Sequence, residues 1–159
     1  MRFSLELQNA IRNEEVIYLP NFYDLNITLE DAEADAEYAR SVDNIKLYEH
    51  GYYCSQTAYI TTNEVKRFCQ ILSNETGSLA CDAHFFVAYD TDCVGFGAHS
   101  DDTDILNIQC VGSTVWEIDG MKYKLTENDA IYFPANTLHE VRSLTEPRVG
   151  CSFGFKALR

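Results

Sequence analysis

Basic residues are scarce in this sequence. Twelve Lys and Arg stand against 25 Asp and Glu, a formal net charge of −13. Nucleic-acid binding needs clustered cations to neutralise phosphates, so this balance argues against it and suits a basic partner or a small substrate better. Long apolar runs are missing too. Nothing approaches the roughly 20 apolar residues of a membrane span, and the opening "MRFSLELQNAIRNEE" holds no apolar segment of signal-peptide length. The chain is therefore expected to be soluble and cytoplasmic. No CxxC pair occurs; Cys54, Cys69, Cys81, Cys93, Cys110 and Cys151 are widely scattered. In a reducing compartment these read as small core hydrophobes rather than as a zinc site. Histidine is limited to His50, His84, His99 and His139.

What is present describes a globular chain. At 159 residues it is expected to form a single domain, 1–159, able to bury a core without disulfide or metal staples. Ten Tyr and nine Phe favour strands over a helical bundle. Residues 1–78 read as a mixed α/β cover. "SLELQNAIRN" has a short amphipathic helical pattern, and "EEVIYLPNF" is strand-like until Pro20 and Asn21. "ITLEDAEADAEYARS" is a helix that Thr28 can cap, with Asp31 placed as the acidic member of a capping box. Its acidic run "EDAEADAE" reads as a solvated face. A further helix is expected from Thr61 or Thr62 through "NEVKRFCQILSN", with Val65, Phe68, Cys69 and Leu72 on one stripe.

Residues 79–159 read as the β core. Seven short segments follow one another: "CDAHFFVAY", "DILNIQCV", "STVWEI", "MKYKL", "DAIYFP", "LHEVRSL" and "RVGCSFGFK". Turn signals such as Asp119-Gly120 separate them, which suggests an antiparallel sandwich or small barrel. No internal repeat or low-complexity linker interrupts them.

In "GFGAHSDDTDILNIQ", His99 and Asp101 are two residues apart, so on a strand they project from one face. His139 opens a later expected strand. Two imidazoles and one carboxylate supply a facial triad for non-haem Fe(II) with open coordination positions. A solvated strand end is the competing reading of His-X-Asp alone. Thr103, Asn107 and Gln109 are in phase with the pair and could line a barrel interior, with ordinary hydrogen-bonded barrel filling preferred for Thr103. Asp104 is out of phase and reads as a structural or rim acid. His84, Tyr89, Trp116 and Phe155 read as packing residues.

The combination "GFGAHSDDTDILNIQCVGSTVW", "NDAIYFPANTLHEV" and "CSFGF" resembles the JmjC-type 2-oxoglutarate oxygenases, nearest to their ribosomal-oxygenase (cupin-4) branch. Gly97, His99, Asp101, Asp104, Gln109, Gly112, Trp116, Asp129, Tyr132, Pro134, His139, Ser152, Gly154 and Phe155 carry the resemblance, over roughly residues 80–157. It implies a mainly β, double-stranded β-helix (cupin, jelly-roll) core with N-terminal helices packed on it. It also implies Fe(II) held by His99, Asp101 and His139, 2-oxoglutarate as cosubstrate, and hydroxylation of a protein side chain; the acidic surface fits a basic protein or peptide as the substrate.

That family places a Lys or Arg two positions after the glycine to anchor the far carboxylate of 2-oxoglutarate; here Thr114 stands there. A neutral hydroxyl does not replace a charge-assisted bond. Arg148 is the expected substitute. It shares a strand face with Gly150 and Ser152, glycine leaves room for a long side chain, and it follows His139 closely, as an arginine does in other branches of the superfamily. A solvated arginine after a proline turn is its competing reading. Ser152, Asn107, Gln109 and Thr114 are the other expected cosubstrate contacts. Two alternatives remain open on sequence: a metal cupin acting on a small molecule without 2-oxoglutarate, and a non-catalytic cupin-like binding protein.

Overall fold

The computed structural model describes residues 1–93 and 95–159. Helix α1 (Leu5–Asn13) starts where the Ser4 hydroxyl accepts from the Leu7 amide. A short strand, β1 (Ile17–Leu19), follows, and then helix α2 (Leu29–Ser41). The expected capping box is present at α2: Thr28 accepts from the Asp31 amide while the Asp31 carboxylate accepts from the Thr28 amide. Ala32, Asp35, Ala36 and Ala39 form the buried stripe of α2 at helical spacing. The acidic run is thus not wholly solvated, because Asp35 falls on that stripe. It accepts from the hydroxyls of Ser55, Thr57 and Thr61, which replace the water it loses.

Strands β2 (Ile45–Leu47) and β3 (Tyr53–Ser55) lead to a single turn, α3 (Ala58–Thr61), and to α4 (Asn63–Thr76). Val65, Phe68, Cys69 and Leu72 of α4 are buried as the apolar spacing requires. Gly77, at φ +70°, ends the helix in the left-handed conformation that glycine adopts without a Cβ penalty. Phe68 is the hinge of the packing. Its ring lies 4.7 Å from Phe153 and 4.8 Å from Tyr23, joining α4 to the sheet below and to the N-terminal loop above.

All seven expected core segments form strands: β4 (Cys81–Ala88), β5 (Asp104–Val111), β6 (Thr114–Ile118), β7 (Met121–Leu125), β8 (Ala130–Phe133), β9 (His139–Ser143) and β10 (Arg148–Phe155). The major sheet runs β1-β8-β5-β10-β4-β3-β2 and the minor sheet β7-β6-β9, with antiparallel neighbours throughout. Asp119 and Gly120, both at positive φ, make the tight β6–β7 hairpin turn that their sequence signals. Leu106, Ile108, Cys151 and Phe153 face the helices, and Trp116, Ile118, Leu125 and Phe133 pack between the sheets. The architecture is mainly β, as expected. The first 78 residues do more than cover it, since β1, β2 and β3 extend the major sheet at both edges. No helix among the described residues is long and apolar enough to cross a membrane.

Candidate metal centre and ligand pocket

A cavity of about 230 Å³ opens between the two sheets. Its floor is written by strand register. His84, Ser152 and Asn107 stand side by side across β4, β10 and β5, and Arg148 begins β10 opposite Ala88. His99, Asp101 and His139 lie at the same cavity, with one ligand atom from each within 4.8 Å of the other two.

His99 and Asp101 are not on one continuous strand. His99 forms an isolated antiparallel bridge with His139 of the minor sheet, whereas β5 begins only at Asp104 in the major sheet. The chain from His99 to β5 crosses from one sheet to the other outside any strand, although Asp101, Thr103 and Asn107 still fall on the cavity at alternate positions. The convergence of His99, Asp101 and His139 comes from backbone contacts. His99 and His139 exchange amide–carbonyl bonds of 3.0 and 2.9 Å, and the Asn136 amide donates to the Asp101 carbonyl at 2.7 Å.

Each histidine is then oriented by its own backbone. His99 Nδ1 lies 3.0 Å from the Gly97 carbonyl and His139 Nδ1 lies 2.9 Å from the Thr137 carbonyl. A carbonyl only accepts, so both Nδ1 atoms carry the proton and both Nε2 lone pairs are free. These face the Asp101 carboxylate at 3.8 and 3.4 Å. Such separations are too long for hydrogen bonds but suit three donors about 2.1 Å from a common divalent ion. Burial holds the His139 imidazole below its usual pKa, with the Thr137 carbonyl opposing, which keeps it in the neutral form that ligates. The donor set therefore fits a metal. Phe96 and Phe133 pack on the two rings at 4.3 and 4.4 Å between centroids.

Arg148 is not a solvated arginine. It is 2 % exposed, its Nε donates to Ser143 Oγ at 3.0 Å, and its guanidinium lies over the Tyr52 ring at 5.1 Å. Its Nη2 has no partner, and none of the ion pairs among the described residues involves it. A buried cation without a counter-charge is costly unless a ligand supplies one. Two more donors lining the cavity are buried without partners, Tyr52 OH and Asn107 Nδ2. Gly150 does not make room for Arg148; a Cβ there would meet the Asn107 amide at 3.2 Å, so its absence accommodates Asn107. Ser152 Oγ donates to Asn107 Oδ1 at 2.8 Å, which turns the Asn107 amino group outward as a donor.

Gln109 and Thr114 do not line the cavity. Thr114 Oγ1 donates to Gln109 Oε1 at 2.8 Å and accepts from Trp116 Nε1 at 3.2 Å, while Gln109 Nε2 donates to the Val111 and Val149 carbonyls. Both are fully buried and fully used, and their chain fixes Trp116, whose ring stacks 6.0 Å from His139. Trp116 thus serves the pocket wall as well as the core. Thr103 lines the cavity, and Asp104 is a structural acid that accepts from Tyr132 and from Arg159. Tyr89 packs outside the cavity with its hydroxyl on Glu33. His84 is a cavity residue rather than a core one, 3.7 Å from Asp82, and burial holds its imidazole below the usual pKa. Tyr52 was not foreseen; it sits in "EHGYYCS", where three-residue strands give no readable alternation.

No family model and no curated protein matches this sequence. Solved structures match it in fold. The ribosomal oxygenase YcfD of Escherichia coli with cobalt and succinic acid superposes with a TM-score of 0.75 at 14% identity, covering 99% of this chain and 53% of that one. The same protein with cobalt and 2-oxoglutarate gives 0.73 at 15% identity. A Pseudomonas putida prolyl-4-hydroxylase gives 0.64 at 11% identity, covering 97% of this chain and 98% of that one. This chain spans about half the length of the ribosomal-oxygenase structures. The fold is the double-stranded β-helix that these ribosomal-oxygenase and prolyl-4-hydroxylase structures share.

Proposed function

We propose that this chain is an Fe(II)- and 2-oxoglutarate-dependent oxygenase in which His99, Asp101 and His139 hold the metal and Arg148 anchors the cosubstrate. The observation that carries the reading is the buried, unpaired Arg148 guanidinium sharing one cavity with the triad. A dicarboxylate that ligates metal at one end needs a cation at the other, and Arg148 is the only cation lining this cavity among the described residues.

The bound metal with 2-oxoglutarate would supply O₂ activation, giving succinate, CO₂ and an oxygen atom for a substrate C–H bond. The chain's own residues do the rest. Arg148 Nη2 would donate to the distal carboxylate, joined by Tyr52 OH, while Asn107 Nδ2, turned outward by the Ser152 hydroxyl, would donate along the floor. Backbone carbonyls hold the two imidazoles with Nε2 presented. Phe96, Phe133 and Trp116 keep water off the rings and fix their angles.

The exposed acids Asp82 and Asp102 line the same cavity, and the chain carries a net charge of −13. A basic segment of a protein, presenting one side chain to the pocket, fits that electrostatics. The protein substrates suggested by the ribosomal oxygenase and the prolyl hydroxylase agree with it.

The test is turnover of the cosubstrate. Fe(II)-reconstituted protein supplied with 2-oxoglutarate and O₂ is expected to release succinate even without substrate, and His139→Ala is expected to abolish it. Wild-type protein that binds metal but forms no succinate, with or without basic peptides, is instead a metal cupin of another chemistry.

A further inference from the structure

The six cysteines are all free thiols, but two of them are not isolated. Cys69 on α4 and Cys81 at the first residue of β4 bring their sulfurs to 3.3 Å, with the Cys81 thiol donating to Cys69 Sγ. That hydrogen bond gives the pair a polarity. As acceptor, Cys69 is held below the usual thiol pKa, and Cys81, as donor and partly desolvated, is held above it. The thiolate is the reactive form, so Cys69 is the nucleophile of the two and Cys81 the partner poised to resolve it. Elsewhere burial works against reactivity: it pushes Cys54 and Cys110 up to about 12 and raises Cys151 well above the usual value.

Access is provided. Both sulfur-bearing residues line an open surface groove with Tyr59, Lys66 and Leu79, outside the metal cavity. An S–S bond of about 2.05 Å asks the sulfurs to close by only about 1 Å.

We propose that Cys69 and Cys81 form a redox-active dithiol that a hydroperoxide converts reversibly into an intramolecular disulfide. The Cys69 thiolate attacks the peroxide, breaking the O–O bond; one oxygen becomes the sulfenic hydroxyl, and the other leaves as hydroxide and is protonated to water. Cys81 sulfur then attacks the sulfenic sulfur. The S–S bond forms, the hydroxyl departs with the Cys81 proton as a second water, and the two thiols have been oxidised by two electrons as the peroxide is reduced. The bond ties α4 to the start of the strand whose next residues, Asp82 and His84, line the metal cavity.

The whole folded chain is treated with one equivalent of hydrogen peroxide, its remaining thiols are alkylated, and its peptides are mapped by mass spectrometry. The expected result is a loss of about 2 Da, one cross-linked peptide pair joining Cys69 to Cys81, alkylation of the other four cysteines, and full reversal by dithiothreitol. Cys81→Ser is expected to leave a dimedone-reactive sulfenic acid at Cys69, and Cys69→Ser neither adduct nor cross-link. Six alkylated cysteines after peroxide, irreversible oxidation without a cross-link, or a disulfide joining another pair each overturn the proposal. So does a cross-link that forms only in denaturant.

Discussion

His99 and His139 donate their backbone amides to each other's carbonyls, and their rings lie 4.3 Å apart. One bridge of two residues thereby fastens the loop carrying two of the three candidate ligands to the minor sheet that carries the third. Because the bridge is made by backbone atoms, replacing either side chain leaves it intact. Metal affinity and loop position are therefore separable by mutation.

His99→Ala is expected to fold normally and lose stoichiometric Mn(II) binding, read by metal analysis of the desalted protein. His50→Ala is expected to keep it, since His50 lies on an exposed turn outside the cavity. Retention of wild-type metal affinity by His99→Ala contradicts the site.

The metal-free protein is expected to lose stability on acidification. His84 and His139 are both held below the usual imidazole pKa by burial, so the folded state resists protonation. The unfolded chain takes up these protons as pH falls through about 6.5. Stability is then full above that value and declines below it. Denaturant midpoints measured from about pH 7.5 to about pH 5.5 are expected to fall, and His84→Asn is expected to flatten the decline.

Asp35 has the opposite sign. Burial raises its carboxyl pKa against the lowering effect of Thr57 and Thr61, so its ionised form costs stability that returns as pH drops. Asp35→Ala strands the two buried hydroxyls of Ser55 and Thr57, while the exposed Thr61 can turn to water, and is expected to cost about 2–4 kcal/mol in urea unfolding. Asp35→Asn is expected to cost less, because the neutral form is the one burial favours.

Much of this was legible in the sequence where local chemistry decides. The α2 capping box, the α4 stripe, the Asp119-Gly120 turn and all seven core strands follow from spacing and residue type. Asp35 was readable too, since it falls at helical spacing between Ala32 and Ala39, but composition hid it among acids. What failed was the far end of the alternation: counting by twos from His99 reaches cavity residues at Asp101, Thr103 and Asn107 but not at Gln109, where the pairing of β5 with β10 shifts register beside Gly150. The roles of Gln109 and Thr114 were misjudged for a related reason, because a polar residue in strand phase also satisfies its neighbours. Tyr52 and the Cys69–Cys81 contact arise from tertiary packing between short or distant elements, which no local period reports.

The most direct test of the account is a titration of 2-oxoglutarate into Mn(II)-loaded protein without O₂, comparing wild type with Arg148→Ala. Losing one partner of a buried charge pair costs about 3–5 kcal/mol, which exceeds a hundredfold in affinity. Wild type is expected to bind one 2-oxoglutarate per chain only when metal is present, and Arg148→Ala to bind it at least about a hundredfold more weakly with metal affinity nearly unchanged. Equal affinity in the two proteins contradicts the role of Arg148, and no binding to metal-loaded wild type contradicts the oxygenase reading itself.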